Sequence, residues 1–213
     1  MMRTILPPIR SIELRDRLSE LLKEALRMEN RTASLYLRRS FGDIMSRQRQ
    51  PAAGDELQAE LSAATDRINA YCRVLELVSR RRLGSAGPVE RALEEAAYLF
   101  NEGLFFEVHE ILETVWLTQE GGIRLLLQGL IQIAVGFYHL ENRNLGGALS
   151  LLIEGVEKVN AYDPDRSRSG LGQFLAEIER ARLSIESLGE AACDRFDRRM
   201  IPRMPFIGAH CRT

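Results

Sequence analysis

The sequence predicts an all-α protein, a bundle of helical hairpins, on three observations. Apolar residues recur every three or four positions in one segment after another, the period of a helix face and not the alternation of a strand. Proline and glycine fall between those segments, at 7–8, 51–54, 84–88, 121–122, 146–147 and 164–170. Two turn sequences, N-E-G-L-F-F at 101–106 and N-L-G-G-A-L at 144–149, carry the same Asn-x-Gly head 43 residues apart. A repeated turn implies two successive hairpins built alike.

In chain order, Ser11 reads as an N-cap after Pro7 and Pro8. Leu14, Leu18, Leu21, Ala25 and Met28 then step by four and three, with Leu35 one heptad on. That seam predicts a helix to about Ile44 or Met45, with a break near Gly42. A polar linker at 46–54 follows. Asp55 opens a second helix, with Leu57, Leu61, Ala64, Ile68, Tyr71, Leu75 and Val78 on its seam. Arg80, Arg81 and Arg82 close it, cations where a helix dipole favours them. Residues 1–87 thus read as an N-terminal hairpin whose narrow stripes must pack on the central domain, on a second copy of itself or on another protein. Glu29 and Tyr36 weakly echo a di-iron protein's first helix, but no Glu-x-x-His pair completes such a site.

G-S-A-G-P at 84–88 marks a domain boundary, and Pro88 suits a first helical turn. Helices are predicted at about 88–101, 104–118, 123–141 and 147–160. These hairpins are similar in geometry to tetratricopeptide-type repeats, whose period is about 34 residues. The domain region is 88–165, and residues 166–213 supply a helix at 171–187 and a proline-studded tail lying extended against the bundle.

Charge and cysteine usage narrow the function classes. Residues 1–87 hold 16 Lys+Arg against 11 Asp+Glu, whereas 88–162 hold 4 against 11. An acidic central domain argues against a nucleic-acid surface there. Cys72, Cys193 and Cys211 are odd in number and widely spaced, which suits a reducing cytoplasm. The N-terminus lacks the apolar run of a signal peptide, and no stretch of about 18 uninterrupted apolar residues predicts a membrane span.

The candidate chemistry lies between Phe100 and His139. On a wheel of about 100° per residue with Phe105 at zero, Trp116 falls near 20°, His109 near 40° and Glu113 near 80°. Phe106 and Glu110 follow near 100° and 140°, and Glu107 lies near 200°, where it is expected to be solvated. His109 and Glu113 are therefore expected inside the apolar face, flanked by aromatics. Arg124, Gln128 and Gln132 step by four along the next helix, and His139 continues their stripe. Antiparallel packing would bring Arg124 to Glu113. The cluster then reads as a buried Glu113–Arg124 and His109–Gln128 or Gln132 network, as a small-ligand pocket, or as a metal site drawing on His109, Glu110, Glu113 and His139. H-E-x-x-E is not the H-E-x-x-H zinc motif, and no nucleophilic triad, P-loop or dinucleotide fingerprint is present. No cofactor is implied.

F-N-x-G-x-F-F-E-x-H-E-x-L-E-x-x-W from Phe100 to Trp116, then G-x-R-x-x-x-Q-G-L-I-Q from Gly122 to Gln132, resembles the domain of unknown function numbered 309. G-A-L-S-L-L at 147–152 and Gly155 fit its continuation, so the likeness covers about residues 90–165. It implies a small all-α domain of helical hairpins, with His109, Glu110, Glu113, Trp116, Arg124, Gln128 and Gln132 as signature positions. It implies no reaction. The resulting expectation is a soluble, non-catalytic interaction or scaffold protein, with a small-molecule or metal-dependent enzyme using His109 and Glu113 as the alternative.

Overall fold

Ser11 begins the first helix, α1 (Ile12–Leu26), by accepting a hydrogen bond from Leu14 N at 3.3 Å. The computed structural model describes residues 6, 9–28, 30–48, 55–80, 87–163 and 170–207. It divides into two units, residues 6–82 and residues 83 onward. The expected linkers at 46–54 and 164–170 and the 84–88 boundary lie partly outside the described residues, as do Pro7, Pro8, Glu29, Arg81, Arg82 and Cys211.

The first unit contains α1, α2 (Asn30–Gln48) and α3 (Asp55–Arg80), and each of the three touches the other two. This corrects the expected single helix to Met45. The chain leaves α1 at Arg27 and Met28, whose amides bond back to Glu24 and Ala25 in a tightened last turn. The helix then runs through Gly42 without a break. The buried stripes are Leu14, Leu18, Leu22 and Ala25 on α1, and Ala33, Leu37, Phe41 and Ile44 on α2. Both step by four, four and three, so they drift with the 3.6-residue period instead of holding a heptad. Leu21 consequently yields its place to Leu22, and Leu35 is 70% exposed. Leu61, Ala64, Ile68, Tyr71 and Leu75 of α3 are buried as the spacing predicts.

In the second unit, α4 (Pro88–Asn101) pairs with α5 (Phe105–Trp116), and α6 (Gly121–Glu141) with α7 (Leu145–Tyr162). Pro88 occupies the first turn of α4, where its missing N–H costs nothing. Both hairpins turn the same way. Leu104 N bonds to Leu99 O and Asn144 N bonds to His139 O, each at 2.9 Å, around Gly103 at φ 78° and Arg143 at φ 61°. These are the six-to-one bonds of a helix C-terminus closed by a left-handed residue. Equivalent positions are therefore 103 and 143, or 104 and 144, an offset of 40 residues and not the 43 that the Asn-x-Gly heads suggest. Asn144 explains the mismatch, because its side chain is used to cap α7 through Gly147 N at 2.9 Å.

Glycines let α6 and α7 approach closely. A Cβ on Gly129 would lie 2.8 Å from Gly155 O, and one on Gly155 would lie 2.7 Å from Gly129 O. By length and composition α6 could cross a membrane, but half of its apolar window is buried inside the fold, the pattern of a core helix. Phe100, Phe105, Phe137 and Phe174 form the aromatic centre, with the Phe100 ring 5.1 Å from Phe105 and 5.7 Å from Phe174. Phe174 belongs to α8 (Leu171–Leu188), which packs against α7. Three short turns of helix, Gly189–Ala191, Ala192–Arg195 and Arg198–Met200, lead into the extended tail, held to α4 by Asn101 and Met204.

Candidate functional site

The side chains that converge are His109, Glu110 and Glu113, all on α5. His109 Nδ1 lies 3.2 Å from Glu110 Oε1, and His109 Nε2 lies 3.5 Å from Glu113 Oε2. Potential ligand atoms of the three lie within 4.8 Å of one another. The histidine is 30% exposed and Glu113 46%. The ring of Phe106 sits 6.1 Å from the imidazole and 5.5 Å from Tyr138 of α6, which limits where His109 can turn.

This placement corrects the wheel. The buried residues of α5 are Phe105, Glu107, Val108, Ile111 and Leu112. At about 100° per residue their arc runs from roughly 200° to 360°, turned by about 120° from the side that the aromatics suggested. His109, Glu110 and Glu113 therefore stand on the partly solvated flank. Glu107, expected in water, is fully buried.

The predicted partners go elsewhere. Arg124 does not reach Glu113; its Nη1 donates to Trp116 O and Gln119 O, each at 3.0 Å, and its guanidinium lies 4.0 Å over the Trp116 ring. The carbonyls ending a helix lack intrahelical donors, and a cation on the next helix satisfies them while stacking on the indole. Trp116 Nε1 is buried without a hydrogen-bond partner among the described residues. Gln132 donates to Glu154 at 2.7 Å, on the α6–α7 side, and Gln128 is half-buried on α6. His139 Nδ1 lies 3.1 Å from Asn144 Nδ2 at the hairpin turn and is not in the cluster. The single buried network of the sequence expectation is replaced by four separate local arrangements.

Sequence reasoning passed over the buried acids of α4. Glu94 and Glu95 are both buried, and burial pushes the Glu95 carboxyl up to about 7, with Glu94 adding to the rise and Arg91 opposing it. The signal was available: A-L-E-E-A-A-Y-L-F sets two acids inside an apolar run. A carboxyl raised in the folded state contributes stability that is fully present below its unfolded pKa near 4.5 and is lost as pH rises through about 7. Glu95→Gln is therefore expected to stabilise the protein by about 2–3 kcal/mol at pH 8 and by almost nothing at pH 4.5. Urea denaturation at the two pH values measures the difference, and equal effects would refute it.

Residues 93–151 match the family model described as Domain of unknown function (DUF309), a span that holds all eight candidate positions. An "Uncharacterized protein" of Aquifex aeolicus (strain VF5) is 32% identical over 102 residues, covering 47% of this chain. The matched segment spans only 30% of that relative's length. No solved structure matches the chain.

Proposed function

We propose that this chain, whose residues 93–151 match the DUF309 domain, is a non-catalytic interaction protein that docks a basic amphipathic helix of a protein partner between α7 and α8. What supports the reading is a groove of about 580 Å³ with Ile153, Val156 and Leu175 on its apolar surface and Glu157, Glu179 and Arg182 beside them. Arg182 is already held by Glu179 at 2.6 Å and Glu186 at 2.8 Å, which leaves the rim with an excess of acid. Ile153 is 41% exposed, apolar surface that a helix with i, i+3 and i+4 anchors would cover. Its lysines and arginines would meet Glu157 and steer the encounter.

A photo-crosslinking side chain placed at Ile153 tests this in the source cells. Adducts should map to helical segments with such anchors and a positive flank, and Glu157→Lys should cut their yield roughly tenfold, the equivalent of about 1.4 kcal/mol. Adducts scattered over unrelated segments, or insensitive to both Glu157→Lys and Val156→Asp, would sink the reading. Self-association through residues 11–83 belongs to the same proposal and would use Ile12 and Leu35, the most exposed large apolar side chains among the described residues of that segment. So does a cytoplasmic setting, given the free Cys72 and Cys193.

A second reading is carried by the convergence of His109, Glu110 and Glu113. Such a group suits a small-molecule or metal-dependent site in which His109 and Glu113 face the ligand.

A further inference from the structure

His109 is set up asymmetrically at its two ring nitrogens. The Nδ1 is at hydrogen-bond distance from Glu110 Oε1, 3.2 Å, while Phe106 flanks the ring. Were the ring proton on Nδ1, facing Glu110, the Nε2 lone pair would be turned to Glu113 Oε2, 3.5 Å away. In that tautomer the two electron-rich atoms would need a cation between them. An ion making two bonds of about 2.0–2.1 Å at the tetrahedral angle spans roughly 3.4 Å between its ligand atoms. The separation in this protein matches that span. The i,i+4 spacing on α5 supplies it, since residues four apart stand one above the other on a helix.

We infer that His109 Nε2 and Glu113 bind one divalent transition ion of the zinc class, with Glu110 as the positioning residue behind the imidazole. An imidazole donor selects this class over magnesium or calcium, which take all-oxygen shells. Carboxylate behind histidine behind metal is the usual support for such a ligand, orienting the ring and raising its basicity. Two protein ligands leave about two tetrahedral positions for water or an added ligand, so the site is open. His139, held at the α6–α7 turn by Asn144, takes no part. This inference deepens the second reading above and rests on it.

The test is titration of the metal-free full chain with Zn²⁺ by calorimetry and with Co²⁺ by visible absorption. The ring ¹⁵N shifts of His109 are recorded on the same samples. Wild type should take up one equivalent with a dissociation constant in roughly the micromolar range. His109→Ala and Glu113→Gln should lose that equivalent with their unfolding midpoints near wild type. Glu110→Gln should bind about 10–100-fold more weakly with the Co²⁺ spectrum retained, and His139→Ala should bind as wild type does. Uptake undiminished in His109→Ala overturns the inference by placing the ion elsewhere. No uptake by wild type, with His109 neutral at Nε2, overturns the metal alone and leaves the ligand reading standing. No uptake with His109 doubly protonated at pH 7 overturns both, because the cluster is then an imidazolium held between two carboxylates.

Discussion

Gly155→Ala is expected to destabilise the protein by about 2 kcal/mol and to lower its melting temperature by roughly 4–8 °C. The added methyl would meet Gly129 O at 2.7 Å, Ile133 Cγ1 at 2.8 Å and Ile133 N at 2.9 Å. Two of those atoms are backbone and cannot rotate away, so α6 and α7 must separate along the most extensive helix pair of the unit. Overpacking of this kind costs about 1–3 kcal/mol or more, and alanine's better helix propensity returns only about 1. Gly129→Ala strains the same crossing, with Val159 Cγ2 at 2.6 Å and Gly155 O at 2.8 Å. Because either methyl alone forces the helices apart, the double variant should cost less than the sum of the two. Gly146→Ala is the control: nothing lies within 4 Å of its added Cβ, so it should be neutral or stabilising by up to about 1 kcal/mol. Equal unfolding midpoints for Gly155→Ala and Gly146→Ala would show that the crossing has slack.

Asn101→Ala should cost about 2–4 kcal/mol and free the C-terminal tail. The buried Asn101 amide donates to Met204 O at 3.0 Å and accepts from Met204 N at 2.8 Å. One side chain thus imitates the partner strand that the extended tail lacks. Its removal leaves a buried donor and a buried acceptor unpaired, each worth about 1–3 kcal/mol. The alternative is for the tail to lift, which exposes Met204 and Ile207 at about 1.5–3 kcal/mol apiece. The cheaper route sets the observed cost. In either case the exposed Arg203 should become a faster trypsin site in the variant than in wild type. Unaltered cleavage together with an unaltered unfolding midpoint would refute the clamp.

The candidate site divides along the same physical lines as these predictions. That His109, Glu110 and Glu113 cluster was legible, because i,i+4 neighbours on a helix meet whatever packs around them. That Arg124 would ignore Glu113 was not. It required knowing that the α5–α6 turn brings the guanidinium to the Trp116 and Gln119 carbonyls, which no periodicity encodes. Glu107 is the clearest loss. On α5 apolar residues occupy most of the wheel, so amphipathicity could not say which arc faces inward.

By itself the sequence determined the helices and their punctuation. The Ser11 cap, the Pro88 start, the Gly103 turn and the apolar run of α6 are local preferences that need no partner to act. Only the tertiary structure decided where those helices face and whom they meet. It broke the first seam at Arg27 and Met28, since three mutually packed helices need drifting stripes and not a heptad line. It moved the hairpin register from 43 to 40 by spending Asn144 on a cap. It also turned α5 so that Glu107 went in and Glu113 came out. A hydrophobic period guarantees that a helix has a buried face; the neighbouring helices choose which one.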